Sequence, residues 1–154
     1  MIFEGELLHI HTCAAGGEDM QAHRSANCVA SLGIEGDRYA TGTGFYSEFP
    51  DIREITLMEN ETLEALRRDH NITLLPEEHR RNLTVANVPL NHLVGRQFLV
   101  GTVVLEGGRL NTPCKYLDKL LGKSVCDRLR HRSGLNCRII QGGTVRVGDP
   151  VRPK

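Results

Sequence analysis

The chain has 154 residues and a mass of 17.1 kDa, the size of one ordinary domain, and its 40% hydrophobic and 25% charged residues exclude a disordered or coiled-coil protein. Only 5% of residues are aromatic, Trp is absent and Gly numbers 16, which favours short strands and turns over a helical bundle. The formal charge is zero but graded along the chain: 12 acids against three bases over residues 1–66, nine bases against six acids over 67–127, and seven bases against one acid over 128–154.

In chain order, residues 3–12 read as a first strand and 12–21, with Gly16-Gly17, as a loop. Val29 to Ile34 reads as a second strand, followed over 37–50 by a small-residue segment of the kind that forms long functional loops. Arg53 to Leu57 is a third strand. Thr56 with Glu59 forms a capping box, and Leu63, Ala65 and Leu66 carry an apolar stripe, so a helix is expected to about Asp69. Asn82 to Val88 alternates as a half-buried strand, and Val94 to Leu105 reads as strand, turn at Gly101, strand. Pro113 suits the first position of a helix carrying Tyr116, Leu117, Leu120 and Leu121, stopped at Gly122, and Ser124 with Asp127 starts a second short one. Asn136–Ile140, Gly142-Gly143 and Thr144–Val147 read as a final hairpin. Many short strands with few helices predict a single domain over 1–154, a β-rich, strongly curved barrel with small peripheral helices; a sandwich is the alternative.

The N-terminus carries Glu4 and Glu6 where a signal peptide is positive, and no apolar run reaches the roughly 18 residues of a membrane span, so a cytoplasmic protein with no membrane partner is expected. Five cysteines without repeated spacing then read as reduced thiols rather than a disulfide framework. The cationic C-terminal segment, with Arg128, Arg130, Arg132, Arg138 and Arg146, has two readings. It neutralises the acidic segment within the fold, or it builds an anion site for phosphate or carboxylate, where guanidinium geometry is bidentate. Nucleic acid fits less well, because no basic run interleaves with aromatics.

Two places carry candidate chemistry. His9, His11 and Cys13 alternate along the first strand, a spacing that suits zinc, or simply half-buried side chains. Cys114 follows Pro113 at the start of a predicted helix, where unpaired N–H groups and neighbouring Lys115 favour a thiolate able to act as nucleophile, persulfide carrier or soft metal ligand. The competing reading is a small buried hydrophobe, which is the expectation for Cys28, Cys126 and Cys137.

Gly33-Ile34-Glu35-Gly36-Asp37-Arg38-Tyr39, Arg80-Arg81-Asn82-Leu83-Thr84-Val85, Pro113-Cys114, His131-Arg132-Ser133-Gly134-Leu135 and Gly142-Gly143-Thr144-Val145-Arg146-Val147-Gly148-Asp149, in this order, resemble the MOSC domain, the C-terminal domain of molybdenum cofactor sulfurases that also occurs as a stand-alone bacterial protein. The resemblance runs from about Gly5 to Val151. It implies a mixed β-rich MOSC-type barrel in which Cys114 carries sulfur or ligates molybdenum and arginines hold the phosphate of the molybdopterin. Carried over residue by residue, it marks Asp37, Arg38, Arg80, Asn82 and Arg132; Arg138 joins Arg80 and Arg132 in an expected single anion site near Cys114. Relatives often have Cys-x-Pro-Cys, whereas Asn111 stands at the first position here. Larger members carry a pyridoxal-phosphate desulfurase module that this length excludes, so a cysteine desulfurase, or a reductase, would be a partner chain. The activities implied are reduction of N-hydroxylated compounds or sulfur transfer; the alternative is a non-enzymatic cofactor- or sulfur-delivery adaptor that docks on a partner protein.

Overall fold

The computed structural model describes residues 1–154. Eleven strands follow in chain order: β1 (Gly5–Thr12), β2 (Gln21–His23), β3 (Ser25–Val29), β4 (Gly33–Ile34), β5 (Ile55–Glu59), β6 (Leu83–Ala86), β7 (Gln97–Val100), β8 (Val103–Leu110), β9 (Leu135–Gln141), β10 (Gly143–Arg146) and β11 (Pro150–Pro153). Three helices, α1 (Arg38–Thr41), α2 (Asn60–His70) and α3 (Lys115–Leu121), and two 3-10 turns at Leu90–Leu93 and Cys126–Leu129 complete it. Seven strands in the order β11-β7-β8-β9-β5-β6-β1 form a sheet that closes where β1 pairs back on β11, with β2 extending β1 and β10-β3-β4 forming a separate sheet. The pair β5–β6 is parallel, which requires a long crossover, and α2 lies in it. The expected β-rich barrel with small helices is therefore the fold observed.

Strand β5 shows why the barrel has helices on one flank. Successive residues point to opposite faces. Leu57 enters the barrel core with Leu7, Ile10, Leu83, Val85, Phe98, Leu105, Leu135 and Val151, while Met58 joins a second cluster with Leu63, Leu66, Leu74, Leu117, Val125 and Leu129 from α2, α3 and the turns. The outer face of β5 thus buries Met58 beneath α2 and α3, while Thr56 on the same face is satisfied by Asn82. At the start of β9, Gly134 has φ +99, and a Cβ there would collide with the carbonyl oxygen of Leu57, so only glycine lets β9 enter beside β5.

Several local expectations are corrected. The last hairpin does not exist: β10 pairs with β3, while β9 lies between β8 and β5, because Gly142-Gly143 carries the chain from one sheet to the other. The segment Val29–Ile34 holds a turn between β3 and β4. Thr56 is not a helix cap; it sits within β5, hydrogen-bonded to Asn82, and α2 starts at Asn60 with no side-chain cap from Glu59. A register shift between Leu7 and His9 breaks the alternation of β1, so that Leu7 and Ile10 are both core residues while His9 is exposed. The His9 and His11 rings lie 6.2 Å apart, and no group of three His, Cys, Asp or Glu gathers there to hold a metal. Pro113 precedes α3 rather than opening it, and Cys114 is the N-cap position.

Candidate functional site

Beside the barrel, loops and element ends enclose a cavity of about 350 Å³. The connection between β1 and β2 contributes Gly16 and Gly17; α1 contributes Arg38 and Tyr39; the segment before β5 contributes Phe45, Tyr46, Phe49, Asp51 and Arg53. Arg80 and Arg81 enter just ahead of β6, Arg109 from the end of β8, Asn111 and Cys114 from the approach to α3, and Tyr116 from α3 itself. Five guanidinium groups thus share one concavity with the carboxylate of Asp51.

These arginines are fixed by the protein around them. Arg38 donates to the buried carboxylate of Asp37 at 3.1 Å and to the carbonyl of Arg80 at 2.8 Å, and lies over the ring of Tyr39. Asp37, fully buried, also accepts from the backbone N–H groups of Cys13 and Tyr39, which makes it the N-cap of α1. Arg80 has φ +69, an uncommon conformation for a residue with a side chain, and the Arg38 bond to its carbonyl helps hold it there. Its terminal nitrogens donate to the carbonyl of Glu18 and to the sulfur of Cys13, and each keeps a second N–H without a protein acceptor. Arg81 donates to the Ser133 carbonyl and hydroxyl, the His79 carbonyl and the Asn111 side chain. Withdrawal from solvent pulls its pKa down to about 10, so it stays charged near neutral pH. Asp51 clasps Arg109 and Arg53 together, and the Arg109 hydrogen bonds, reinforced by Arg53, hold its carboxyl well below the usual range.

Cys114 is the one cysteine of the five that is not buried. Its sulfur lies 3.1 Å from the Tyr46 hydroxyl, and that hydrogen bond, followed by burial, pushes the phenol up to about 12, so Tyr46 stays neutral. Lys115, 65% exposed, is engaged by Asp118 at 3.6 Å and Asp127 at 3.8 Å. Burial pushes the Cys28 thiol up to about 12 and raises Cys126 and Cys137 as well. Asn111 is a hydrogen-bond hub: it accepts from Arg81 at 2.6 Å and donates to Asn136 at 3.0 Å.

Of the residues singled out in the sequence, the structure brings Arg38, Arg80 and Cys114 to one cavity, with Asp37 directly behind Arg38. Asn82 lies elsewhere: its side chain ties Thr56 of β5 to the carbonyl of His11 on β1, a joint within the barrel wall. The expected convergence of Arg80, Arg132 and Arg138 is corrected. Arg132 lines a separate depression with Glu59 and His92, its Nε bound to the Arg128 carbonyl, and Arg138, two residues beyond Asn136 on the outer side of β9, reaches Glu106 at 3.7 Å and lines a neighbouring depression on the far side of Asp51 rather than the cavity. Arg53, Arg81 and Arg109 were not singled out. Arg81 is the middle residue of the Arg80-Arg81-Asn82 motif, so its place in the sequence marks it; Arg53 and Arg109 are joined only through Asp51, which no local pattern reveals.

A closed mixed barrel with this cavity defines a class, and the comparisons name it. The MOSC domain model matches residues 46–152, and the chain belongs to the MOSC domain family. Among solved structures, the YuaD protein from Bacillus subtilis is similar at 16% identity over 100% of this chain and 98% of that one, with a TM-score of 0.83. YiiM from Geobacillus stearothermophilus is similar at 14% identity over 97% and 75% of the two chains, TM-score 0.73, and YiiM from Escherichia coli at 17% over 100% and 70%, TM-score 0.68. At these identities the likeness is one of fold. No curated protein matches the chain, and no helix is long and apolar enough to cross a membrane.

Proposed function

We propose that this MOSC domain binds the molybdenum cofactor in the arginine-lined cavity, with Cys114 as molybdenum ligand or sulfur carrier. The observation that carries the reading is the meeting of the one unburied thiol with five guanidinium groups in a single cavity. The residues fit such a group: guanidinium forks match phosphate, a thiol matches a soft metal or sulfane sulfur, and the volume falls in the range of small-molecule sites. Arg53 and Arg80, whose protein partners leave N–H groups over, would take the phosphate, and Cys114 the metal. When bound, the cofactor supplies two-electron chemistry, which suits reduction of an N-hydroxylated compound.

The chain's own residues do the rest. Asp51 holds Arg53 and Arg109 in fixed orientation, so an anion meets donors already ordered. Tyr46 hydrogen-bonds the sulfur and orients it. Asn111, committed to Arg81 and Asn136, offers no thiol where relatives often have one. A persulfide on Cys114 would therefore be handed to a partner rather than resolved at that position, and electrons or sulfur would come from a reductase or cysteine desulfurase in the cytoplasm.

The test is loading. The protein and Cys114→Ser are produced in a host that makes the cofactor, and molybdenum, pterin and sulfane sulfur per chain are measured together with melting temperature. Loss of loading at unchanged melting temperature is expected; full loading in Cys114→Ser, or loss that follows unfolding, contradicts the assignment.

A further inference from the structure

The segment 43–50, ahead of β5, contains no strand or helix, and the way it is held sets it apart from the rest of the cavity wall. Its own backbone bonds are local: Gly44 and Ser47 bond each other, and Phe49 N–H donates to the Tyr46 carbonyl. At one end Thr43 is fixed to Ala14 and Gly16, and at the other Asp51 is fixed to Arg109. Between those anchors, aromatic and polar side chains reach across the cavity. The Phe45 ring stacks on Tyr116 of α3 with centroids 4.4 Å apart at 13°, the Tyr46 hydroxyl meets the Cys114 sulfur, and Arg53 donates to the Tyr46 carbonyl. Phe45 nevertheless remains 57% exposed and Phe49 63%, so neither is a core residue. Two glycines let the segment lie down: a Cβ on Gly16 would come within 2.6 Å of the Phe45 nitrogen, and one on Gly44 within 2.7 Å of the Tyr39 ring.

We propose that residues 43–50 form a lid, clasped by the Phe45–Tyr116 stack and latched on the Cys114 sulfur by Tyr46, and that this lid determines which molecules reach the thiol by their bulk. The proposal rests on the reading of Cys114 as the reactive centre. With the lid down, the phenol covers one side of the sulfur and the stacked rings narrow the mouth between α3 and the β1–β2 connection. A slender or flat molecule slips beside Tyr46; a bulky one must wait for the stack and the hydrogen bond to break. Phe45, Tyr46 and Tyr116 are thus specificity-determining residues: with the lid down they favour slender molecules at the thiol, and a bulky one enters only when the lid lifts.

The experiment needs no cofactor. Second-order rates of Cys114 modification by N-ethylmaleimide and by fluorescein-5-maleimide are measured at one pH, with peptide mapping to confirm the labelled thiol. Because both reagents react by the same chemistry, any change in the sulfur's own nucleophilicity cancels in the ratio of the two rates. An aromatic stack of this kind corresponds to about a 2- to 12-fold change in an equilibrium, so Phe45→Ala is expected to lower the preference for the small reagent by that factor. Phe45→Trp, which keeps the stack, should retain the preference, and Tyr46→Phe, which deletes only the latch, should lower it. Phe45→Leu serves in place of Phe45→Ala if the latter exposes the four buried thiols to labelling. A ratio unchanged in both Phe45→Ala and Tyr46→Phe overturns the lid. A changed ratio in a protein whose Cys114→Ser variant still loads molybdenum leaves the lid standing and removes the cofactor assignment.

Discussion

Two groups of arginines in this molecule have opposite fates. The segment 128–154 is the most cationic stretch of the sequence, with seven bases against one acid, yet it contributes only Asn136 to the arginine-lined cavity. Arg130 faces Asp127 and Arg138 faces Glu106 across long, solvent-exposed pairs of 3.8 and 3.7 Å. The cavity arginines come instead from the acidic first segment and the mildly basic middle of the chain, and three of them are firmly held: Arg38 by buried Asp37, Arg109 by a bidentate bond to Asp51, and Arg81 by Asn111 and Ser133. Charge along a sequence is a sum; an anion site is a convergence, and the barrel decides which side chains converge.

The sharpest break between the two groups is predicted in stability. Arg38→Ala leaves the fully buried Asp37 carboxylate without its charged partner and should cost about 3–5 kcal/mol in urea unfolding, whereas Arg138→Ala, at an exposed pair, should cost at most about 1 kcal/mol. Equal costs would erase the distinction. Next in size is affinity for an anion. With pyrophosphate as probe in calorimetry, Arg80→Ala should bind about 10- to 100-fold more weakly, the loss of one charge-assisted hydrogen bond of about 1.5–3 kcal/mol, while Arg132→Ala and Arg138→Ala match the parent protein.

The same contrast applies to the thiols. Cys137, fully buried in the barrel core, should lose about 1–3 kcal/mol as Cys137→Ser because its hydroxyl is taken out of water, whereas Cys114→Ser should leave the unfolding midpoint nearly unchanged. A smaller, pH-dependent effect belongs to the cavity side alone. His79 is fully buried, hydrogen-bonds Thr84 through Nε2 and accepts from the Arg81 backbone N–H through Nδ1, so it fits only as the neutral ring. Burial, followed by the Arg81 charge, drives its pKa well below 6.5. The unfolded chain therefore takes up the proton first, and stability, intact above pH 6.5, should fall by up to about 1.4 kcal/mol for each pH unit below it. Unfolding curves at pH 7 and 5.5 check this, and a His79→Gln protein should show a shallower slope.

The sequence carried the architecture because short runs such as Leu83–Ala86 and Gln97–Val100 announce strands, and Gly101 and Gly122 announce their turn and stop. It carried Cys114, Arg38 and Arg80 because these lie in family motifs. It missed β11 and misjoined β9 to β10, since a glycine pair that changes sheets looks the same as one that closes a hairpin. Arg53 and Arg109, 56 positions apart, were illegible for a different reason: they become one unit only when Asp51 bridges them in space.

The most direct measurement is the molybdenum and phosphorus content per chain of the protein isolated from a cofactor-producing host, set beside the content of its Arg80→Ala variant. The cavity reading predicts that both elements are present together in the parent protein and fall together in Arg80→Ala. Molybdenum and phosphorus at background in the parent, or at the same level in both proteins, would contradict it.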